Sequence, residues 1–421
     1  MSAPQAAPST LTSFERKVVL LIGAVQFINI LDFVMVMPLG PYFSGGLGIA
    51  SSHIGTIGGS YTAAASVAGL VAGTFLDRFD RRQALAVCML GLVASTAAGG
   101  LSTGLVTLLL ARVCAGVFGG PATALSMSII ADLIPAEKRG RALGLVMMAF
   151  SITSVLGVPI ALRLAELGGW RIPFLGVSAL GLLVVAGAIF LLPPVRGHLS
   201  SERQSARPVG ILQLLGRTDV QLSYLMTALV MMSAFMLIPN IAPYLLQNLD
   251  YPRENLGNIY LAGGVMSFIA LRTAGRLVDR YGSFRVGTVG VALGITSIYV
   301  GFIDFPRWLP IPVLFMAFML ANGVRNVSYS TLVTKVPEPA VRARFMSLQS
   351  AVQHMASALG AVLSSQLLSD EPDGHLGGVA TVATVSIALA LGVPPMLWVV
   401  ENRLRARTQA APAGVPVPVP R

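Results

Sequence analysis

The sequence predicts an all-α membrane protein: twelve transmembrane helices in two pseudo-symmetric six-helix bundles, with both termini in the cytoplasm. Three observations predict it. The first is composition: of 421 residues, 54% are hydrophobic and only 11% charged, whereas a soluble domain carries about 25% charge. The second is that apolar runs of roughly 20 residues, the length that crosses a ~30 Å hydrocarbon core, recur along the whole chain. A membrane β-barrel would instead show alternating segments of about 10 residues. The third is an internal repeat. Phe33-Val-Met-Val-Met-Pro-Leu-Gly-Pro41-Tyr42-Phe43 returns as Phe235-Met-Leu-Ile-Pro-Asn-Ile-Ala-Pro243-Tyr244-Leu245, an offset of 202 (235 − 33). At the same offset Gly73-x-x-x-Asp77-Arg78 returns as Gly275-x-x-x-Asp279-Arg280, and Ile134-Pro135 as Val336-Pro337. One register held over three motifs is a half-protein repeat.

Residues 1–14 read as a disordered tail. The first bundle, 15–192, holds spans at about 17–42, 53–76, 83–101, 104–131, 142–165 and 172–192. Residues 193–217, rich in Pro, Ser and Arg, read as a cytoplasmic linker. The second bundle, 218–400, holds spans at about 219–246, 255–275, 284–303, 309–333, 344–369 and 377–400. Residues 401–421, ending Pro-Val-Pro-Val-Pro, read as a second disordered tail. Gly69-x-x-x-Gly73 and Gly116-x-x-x-Gly120 are small-xxx-small pairs that let helix backbones approach closely.

The net charge of +11 is accounted for by topology rather than by nucleic acid. Lys and Arg crowd the termini and the even-numbered loops. Only Arg163, Arg171, Arg253 and Arg307 fall on the opposite side, and Arg112, Arg272 and Arg325 lie inside apolar runs. The positive-inside rule then puts both termini in the cytoplasm. No cleavable signal peptide is expected, because the first apolar run is too long and its start lacks basic residues. Few lysines against many arginines point to a bacterial source with GC-rich DNA, and so to the inner (plasma) membrane. Cys88 and Cys114 lie in separate spans without metal-ligand spacing, and neither a disulfide, a metal nor a cofactor is expected.

Asp32 is the residue of greatest interest, since acids inside spans are costly and usually functional. The helical rise puts it about 24 Å along the helix from Arg16 and about 16 Å from Phe43. It reads either as a proton carrier or as an idle acid near the outer surface. Its register partner in the second half is Ala234. Arg112 lies at a matching depth, about 14 Å from Thr103, either as a structural pin on backbone carbonyls or as the group that modulates Asp32. In the second half, Asn322, Arg325 and Asn326 with Gln349, Gln353 and His354 form a polar layer, Arg325 and His354 each about 15 Å deep. Met35, Met37, Met147, Met148, Met231, Met232 and Met236 suit a promiscuous apolar pocket or ordinary core filling. Gln26, Asn29, Tyr61, Asn240 and Tyr244 are candidate hydrogen-bond handles in such a cavity. Arg272 reads as structural, its head reaching out toward Arg276.

Two six-span halves in parallel repeat, joined by a long linker, suggest a rocking transporter. The residues resemble the major facilitator superfamily over nearly all of 15–400. The strongest match is the signature G-x-x-x-D-R-x-G-R-R between spans 2 and 3, here Gly73-Thr-Phe-Leu-Asp77-Arg78-Phe-Asp80-Arg81-Arg82, with Asp80 where glycine is usual. Arg112-x-x-x-Gly116 is similar to the span 4 signature. Gly157-Val158-Pro159 resembles the antiporter motif of drug/proton exporters, with Ile160-Ala161 where a further glycine is common. Leu31-Asp32…Pro38 resembles the span 1 signature of those exporters, and Phe235…Tyr244-Leu245 the twelve-span sugar-and-drug efflux branch. The resemblance implies proton transfer through Arg112. It also implies a cytoplasmic latch of Asp77, Arg81 and Asp132, with the acid facing the N-terminus of span 11.

The sequence therefore predicts a secondary transporter that exports a small organic solute, amphiphilic or drug-like, in exchange for protons. The alternative is a sugar or metabolite permease of the same fold. Its partners would be the solute, protons and the bilayer, with the protein acting as a monomer. No phosphate-binding G-x-x-x-x-G-K-[ST] and no H-E-x-x-H is present, which argues against an ATPase or a metalloenzyme.

Overall fold

The computed structural model describes residues 11–195, 211–338 and 341–410. Nearly all of them are helical, as expected where no water is at hand to satisfy backbone N–H and C=O groups. Helix α1 (Ser13–Met35) opens with a capping box between Thr12 and Glu15. Lys138 holds the Glu15 carboxylate at 3.0 Å and so ties the start of α1 to α6. Beyond Met35 the chain turns through Pro38 into α2 (Gly40–Leu47), with Pro41 in its first turn and Gly48 closing it at φ 63°. The second half repeats this figure. Helix α10 (Thr218–Leu237) breaks at the 3₁₀ turn Ile238–Asn240, which contains Pro239, and continues as α11 (Ile241–Gln247). The prolines of the repeated motif thus make the same break twice, because each lacks the N–H that would continue the helix.

The rest of the first half is α3 (Ile54–Phe75), α4 (Arg81–Gly100), α5 (Leu105–Leu133), α6 (Ala136–Ile152), α7 (Val158–Gly168) and α8 (Arg171–Leu191). Between α6 and α7 lies a π-helical turn, Thr153–Gly157. After the short α9 (Ile211–Leu215) and α10–α11 come α12 (Leu256–Tyr281), α13 (Ser283–Phe302), α14 (Ile311–Lys335), α15 (Arg342–Leu367), α16 (Val379–Leu391) and α17 (Val393–Ala410). A small antiparallel hairpin, β1 (Ser369–Asp370) with β2 (Leu376–Gly377), joins α15 to α16. Two expected boundaries differ. The C-terminal helix runs on to Ala410 rather than stopping at 400. Its end is pinned by Asp219, which pairs with Arg403 at 3.2 Å and with Arg407. The other difference is the start of α1 at Ser13, inside the stretch read as a tail.

Eleven helices among the described residues are long and apolar enough to cross a membrane. Helix α15 is not among them. It carries Gln349, Gln353, His354 and several serines along 26 residues, and it packs chiefly on α3 and α10. Its polarity is spent on protein neighbours: Ser364 accepts from Asn240, and Gln349 donates to Thr227.

Glycine sets the tightest seams. At Gly116 and Gly120 of α5, a Cβ would lie 2.2 Å from the Tyr61 carbonyl oxygen and 2.5 Å from that of Ala65 on α3. Gly69 faces open space, so its expected pairing is not made. Helix α3 also runs along α15, where a Cβ on Gly55 would meet the Ala361 carbonyl at 2.2 Å. That seam continues as Thr56 N–H donates to Ser365 Oγ at 2.8 Å and Ser66 Oγ to the Ala351 carbonyl at 2.9 Å. At the end where α1 stops, the Asp370 carboxylate accepts from the backbone amides of Ser51 (2.9 Å) and Ser52 (3.1 Å). Gln247 donates to Ser51 Oγ at 2.8 Å, and the Arg253 guanidinium lies 5.0 Å from the Tyr42 ring. All of these join a residue of the first half to one of the second.

Candidate functional site

Asp32 sits in the last full turn of α1 and is 0% exposed; Arg112, two turns into α5, is 1% exposed. Their side chains form a two-pronged ion pair. Arg112 Nη1 donates to Asp32 Oδ2 at 3.0 Å and Nη2 to Oδ1 at 3.1 Å, while Nη1 also reaches the Asp32 backbone carbonyl at 3.2 Å. Thr96 of α4 adds a third donor to the carboxylate, its hydroxyl 2.6 Å from Oδ1. The guanidinium lies over the Phe174 ring at 5.4 Å, a favourable place for a cation. Arg112 Nε is buried with no partner. Four helices, α1, α4, α5 and α8, thus enclose the pair. A charge cannot stay in such surroundings unless it is paired and hydrogen-bonded.

The pair touches the seam between halves through its neighbours in sequence. One turn before Asp32, Asn29 accepts from the Tyr61 hydroxyl at 2.6 Å and donates to the Gly119 carbonyl (2.8 Å) and Thr123 Oγ1 (3.0 Å). The next residue, Phe33, stacks on Tyr61 with centroids 5.1 Å apart and on Phe235 of the second half at 5.9 Å. A displacement at the seam is therefore felt directly by the residue that follows the acid.

The family model of the Major Facilitator Superfamily matches residues 22–361 and 223–419. The chain belongs to the Major Facilitator Superfamily. It is 26% identical over 370 residues to a chloramphenicol resistance protein of Streptomyces lividans, covering 86% of this chain and 91% of that one. It is 26% identical over 354 residues to the purine ribonucleoside efflux pump NepI of Salmonella typhimurium, covering 81% and 86%. Among solved structures, a bacterial homologue of the human lysosomal transporter Spinster, inward-facing and unoccupied, superposes with a TM-score of 0.75 at 15% identity, over 94% of this chain and 99% of that one. A D-xylose–proton symporter does so with a TM-score of 0.75 at 16% identity, over 92% and 98%. These superpositions establish the shared superfamily fold.

The other superfamily signatures fall as follows. Arg81 pairs with Asp132 at 2.6 Å and donates to the Ser128 carbonyl at 3.2 Å. Gly73 closes α3 and Asp77 lies in the 3₁₀ turn Leu76–Arg78; the surroundings of these two positions lie outside the described residues. Arg78 is exposed. Asp80, the departure from glycine, caps α4: its Oδ1 accepts from the Arg82 amide at 3.0 Å and the Val195 amide at 3.1 Å. In the second copy Gly275, Asp279 and Arg280 lie on the last turns of α12, with Arg280 over the Tyr281 ring at 5.2 Å. Gly157 ends the π turn and Pro159 opens α7. Just before that motif, Gly264 of α12 comes so close that a Cβ would lie 2.5 Å from the Ser154 carbonyl, which makes the π turn an inter-half contact.

The expected cavity residues divide. Met35 and Met236 are 0% exposed and are core residues, because tight packing at the helix breaks closes over them. Tyr244 turns into the second half, donating to the Gly301 carbonyl at 2.7 Å and stacking on Phe302 at 4.8 Å. Asn240 is fastened to the Met236 carbonyl and to Ser364, both at 3.0 Å. Gln26 is buried on α1, and Met148 is exposed on α6. Gln353 and His354 are half-buried on α15. Arg325 donates to Asn322 Oδ1 at 2.6 Å and to Ser233 Oγ at 3.4 Å. Sequence reasoning missed Thr96, Phe174 and Ser233. No signal in the sequence sets Thr96 apart from the other hydroxyls in the spans.

Proposed function

We propose that this protein exports a small organic, amphiphilic solute in exchange for protons, by alternating access between two six-helix bundles. The observation that carries the proposal is the buried Asp32–Arg112 pair beside Phe33, which stacks across the seam. A carboxylate in a low-dielectric site keeps its charge only while a cation stands beside it. As the halves tilt, α1 shifts against α4 and α5, the pair parts, and Asp32 takes a proton. Return of Arg112 expels it. One charge moving inward supplies about 2.3 kcal/mol per 100 mV. Arg81, Asp132 and Asp77 serve as the cytoplasmic latch, and the polar row on α14 and α15 meets the solute. In this reading α15 is the eleventh of twelve spans, its polar face turned to protein. Both termini face the cytoplasm of a bacterium, and the protein works as a monomer in the inner membrane.

The relatives, a chloramphenicol resistance protein and a purine ribonucleoside efflux pump, support export over uptake. The second of these favours metabolite efflux as an alternative substrate class. The test is solute-driven proton flux in proteoliposomes with a panel of amphiphilic drugs, ribonucleosides and sugars, with pH gradient and membrane potential collapsed separately. We expect Asp32→Asn to abolish proton-coupled flux while the protein still inserts and folds. Full antiport by that variant would remove the carrier role.

A further inference from the structure

The 202-residue register reaches into the site itself. In the first half a Cβ on Gly99 would meet Arg112 Nη2 at 3.4 Å; at the matching positions a Cβ on Gly301 would meet Leu314 at 2.8 Å. Asp32, Thr96 and Arg112 therefore correspond to Ala234, Ile298 and Leu314. The second half has dissolved the ion pair. A small pocket lies where the acid would be, lined by Ala234, Ile298, Asn322 and Arg325 among others, with room for about one water-sized particle.

Arg325 lines that pocket as a charge without a counter-charge. It is 5% exposed, its described partners are the neutral Asn322 and Ser233, and its Nε is buried with no partner. Among the described residues no carboxylate forms an ion pair with it. Of the acids of the second half, Asp219, Asp250, Glu254, Asp279, Asp304, Glu338, Asp370, Glu371 and Asp373 lie in loops, in the β hairpin or at helix ends, and Glu401, within α17, is held by Arg405 and the Phe284 amide. Tyr329, a neutral phenol, lies one turn along α14. A buried guanidinium is stable when an anion shares its site, and Arg is the side chain best shaped to hold one.

We propose that Arg325, Asn322 and Ser233 form an anion site in the second half, at the pseudo-symmetric counterpart of Asp32. Its occupant is a halide-sized anion or the carboxylate tip of an acidic solute. The inference deepens the reading of the α14 polar row as a solute contact, and its test needs no transport.

The test is thermal unfolding of the purified full chain in detergent at constant ionic strength, replacing the bulky sulfonate isethionate by chloride or bromide, and separately by acetate or benzoate. We expect a saturable rise in melting temperature. A response to halide identifies a free ion; a response to carboxylates alone identifies the acidic group of a solute. Arg325→Gln should lose the response. Ala234→Asp supplies the missing acid from within, so it should also lose the response while melting, in isethionate, near the saturated wild type. The proposal is overturned if the wild type melts alike in all the anions, or if Arg325→Gln or a folded Ala234→Asp responds as the wild type does. Should Arg325→Gln fail to fold, the wild-type titration and Ala234→Asp still decide.

Discussion

Asp32 and Arg112 are bound to each other more than to anything else, and this fixes what single substitutions do. Arg112→Ala leaves a buried carboxylate with only the Thr96 hydroxyl and should cost about 3–5 kcal/mol. Combined with Asp32→Asn, the cost should fall, because the orphaned charge is gone. A double-mutant cycle on thermal or denaturant unfolding measures the difference; strict additivity would mean that the pair is not coupled. That the two meet was legible in the sequence, since counting 1.5 Å per residue from the span ends put both at one depth. Thr96 was not legible. A hydroxyl in a span routinely bonds the carbonyl four residues back, as Thr96 does to Leu92 at 2.8 Å, so nothing marks the one that also serves a carboxylate. Nor could the sequence orient Met35 and Met236. Helices α1 and α10 carry apolar residues around their whole circumference, so the hydrophobic pattern assigns these two methionines no face.

Among the elements, the breaks follow from proline and the seams from glycine, and both residue types stand in the sequence in plain view. The π turn at Thr153–Gly157 does not. Pro159 announces a disturbed helix, but whether the chain kinks, unwinds or takes up an extra residue depends on what packs there, here α12 at Gly264. Asp80 is the converse case, an apparent irregularity in a signature that proves to be a helix cap. Asp80→Ala removes the acceptor of two amides, Arg82 and Val195. It should destabilise the protein by about 0.5–2 kcal/mol, the usual range for a lost cap. Asp80→Gly restores the residue more usual in the resembling signature and should cost less at the cap, only a few tenths of a kcal/mol there. Equal melting temperatures for the wild type and Asp80→Ala would deny the cap its weight.

At the scale of the whole molecule, one cluster of ties between the halves sits at the end where α1 stops, around Ser51, Gln247, Arg253 and Asp370. None of these residues was singled out in the sequence for this role, because the Asp370 carboxylate meets the Ser51 amide across a separation of 319 positions in the chain. Asp370→Ala should loosen that end. In a background lacking Cys88 and Cys114, a cysteine replacing the buried Leu245 should react faster with a maleimide once Asp370 is gone. Unchanged labelling would show that the hairpin merely rests on α3. The repeat, by contrast, was plain from the sequence, and so was its asymmetry at Asp32 and Ala234. What the sequence could not convey is that the vacated position becomes a pocket beside Arg325.

The contact of α3 with α15 has one last implication. Where Gly55 lies against the Ala361 carbonyl and the small side chains of Ser364 and Ser365, no bulky group interlocks the two rods, so they can glide like a bearing. A lone methyl group there, introduced by Gly55→Ala, would be a wedge. It would jam the machine in one pose and halt turnover without touching either the acid or the solute, which would make the variant a useful trap for catching a single state.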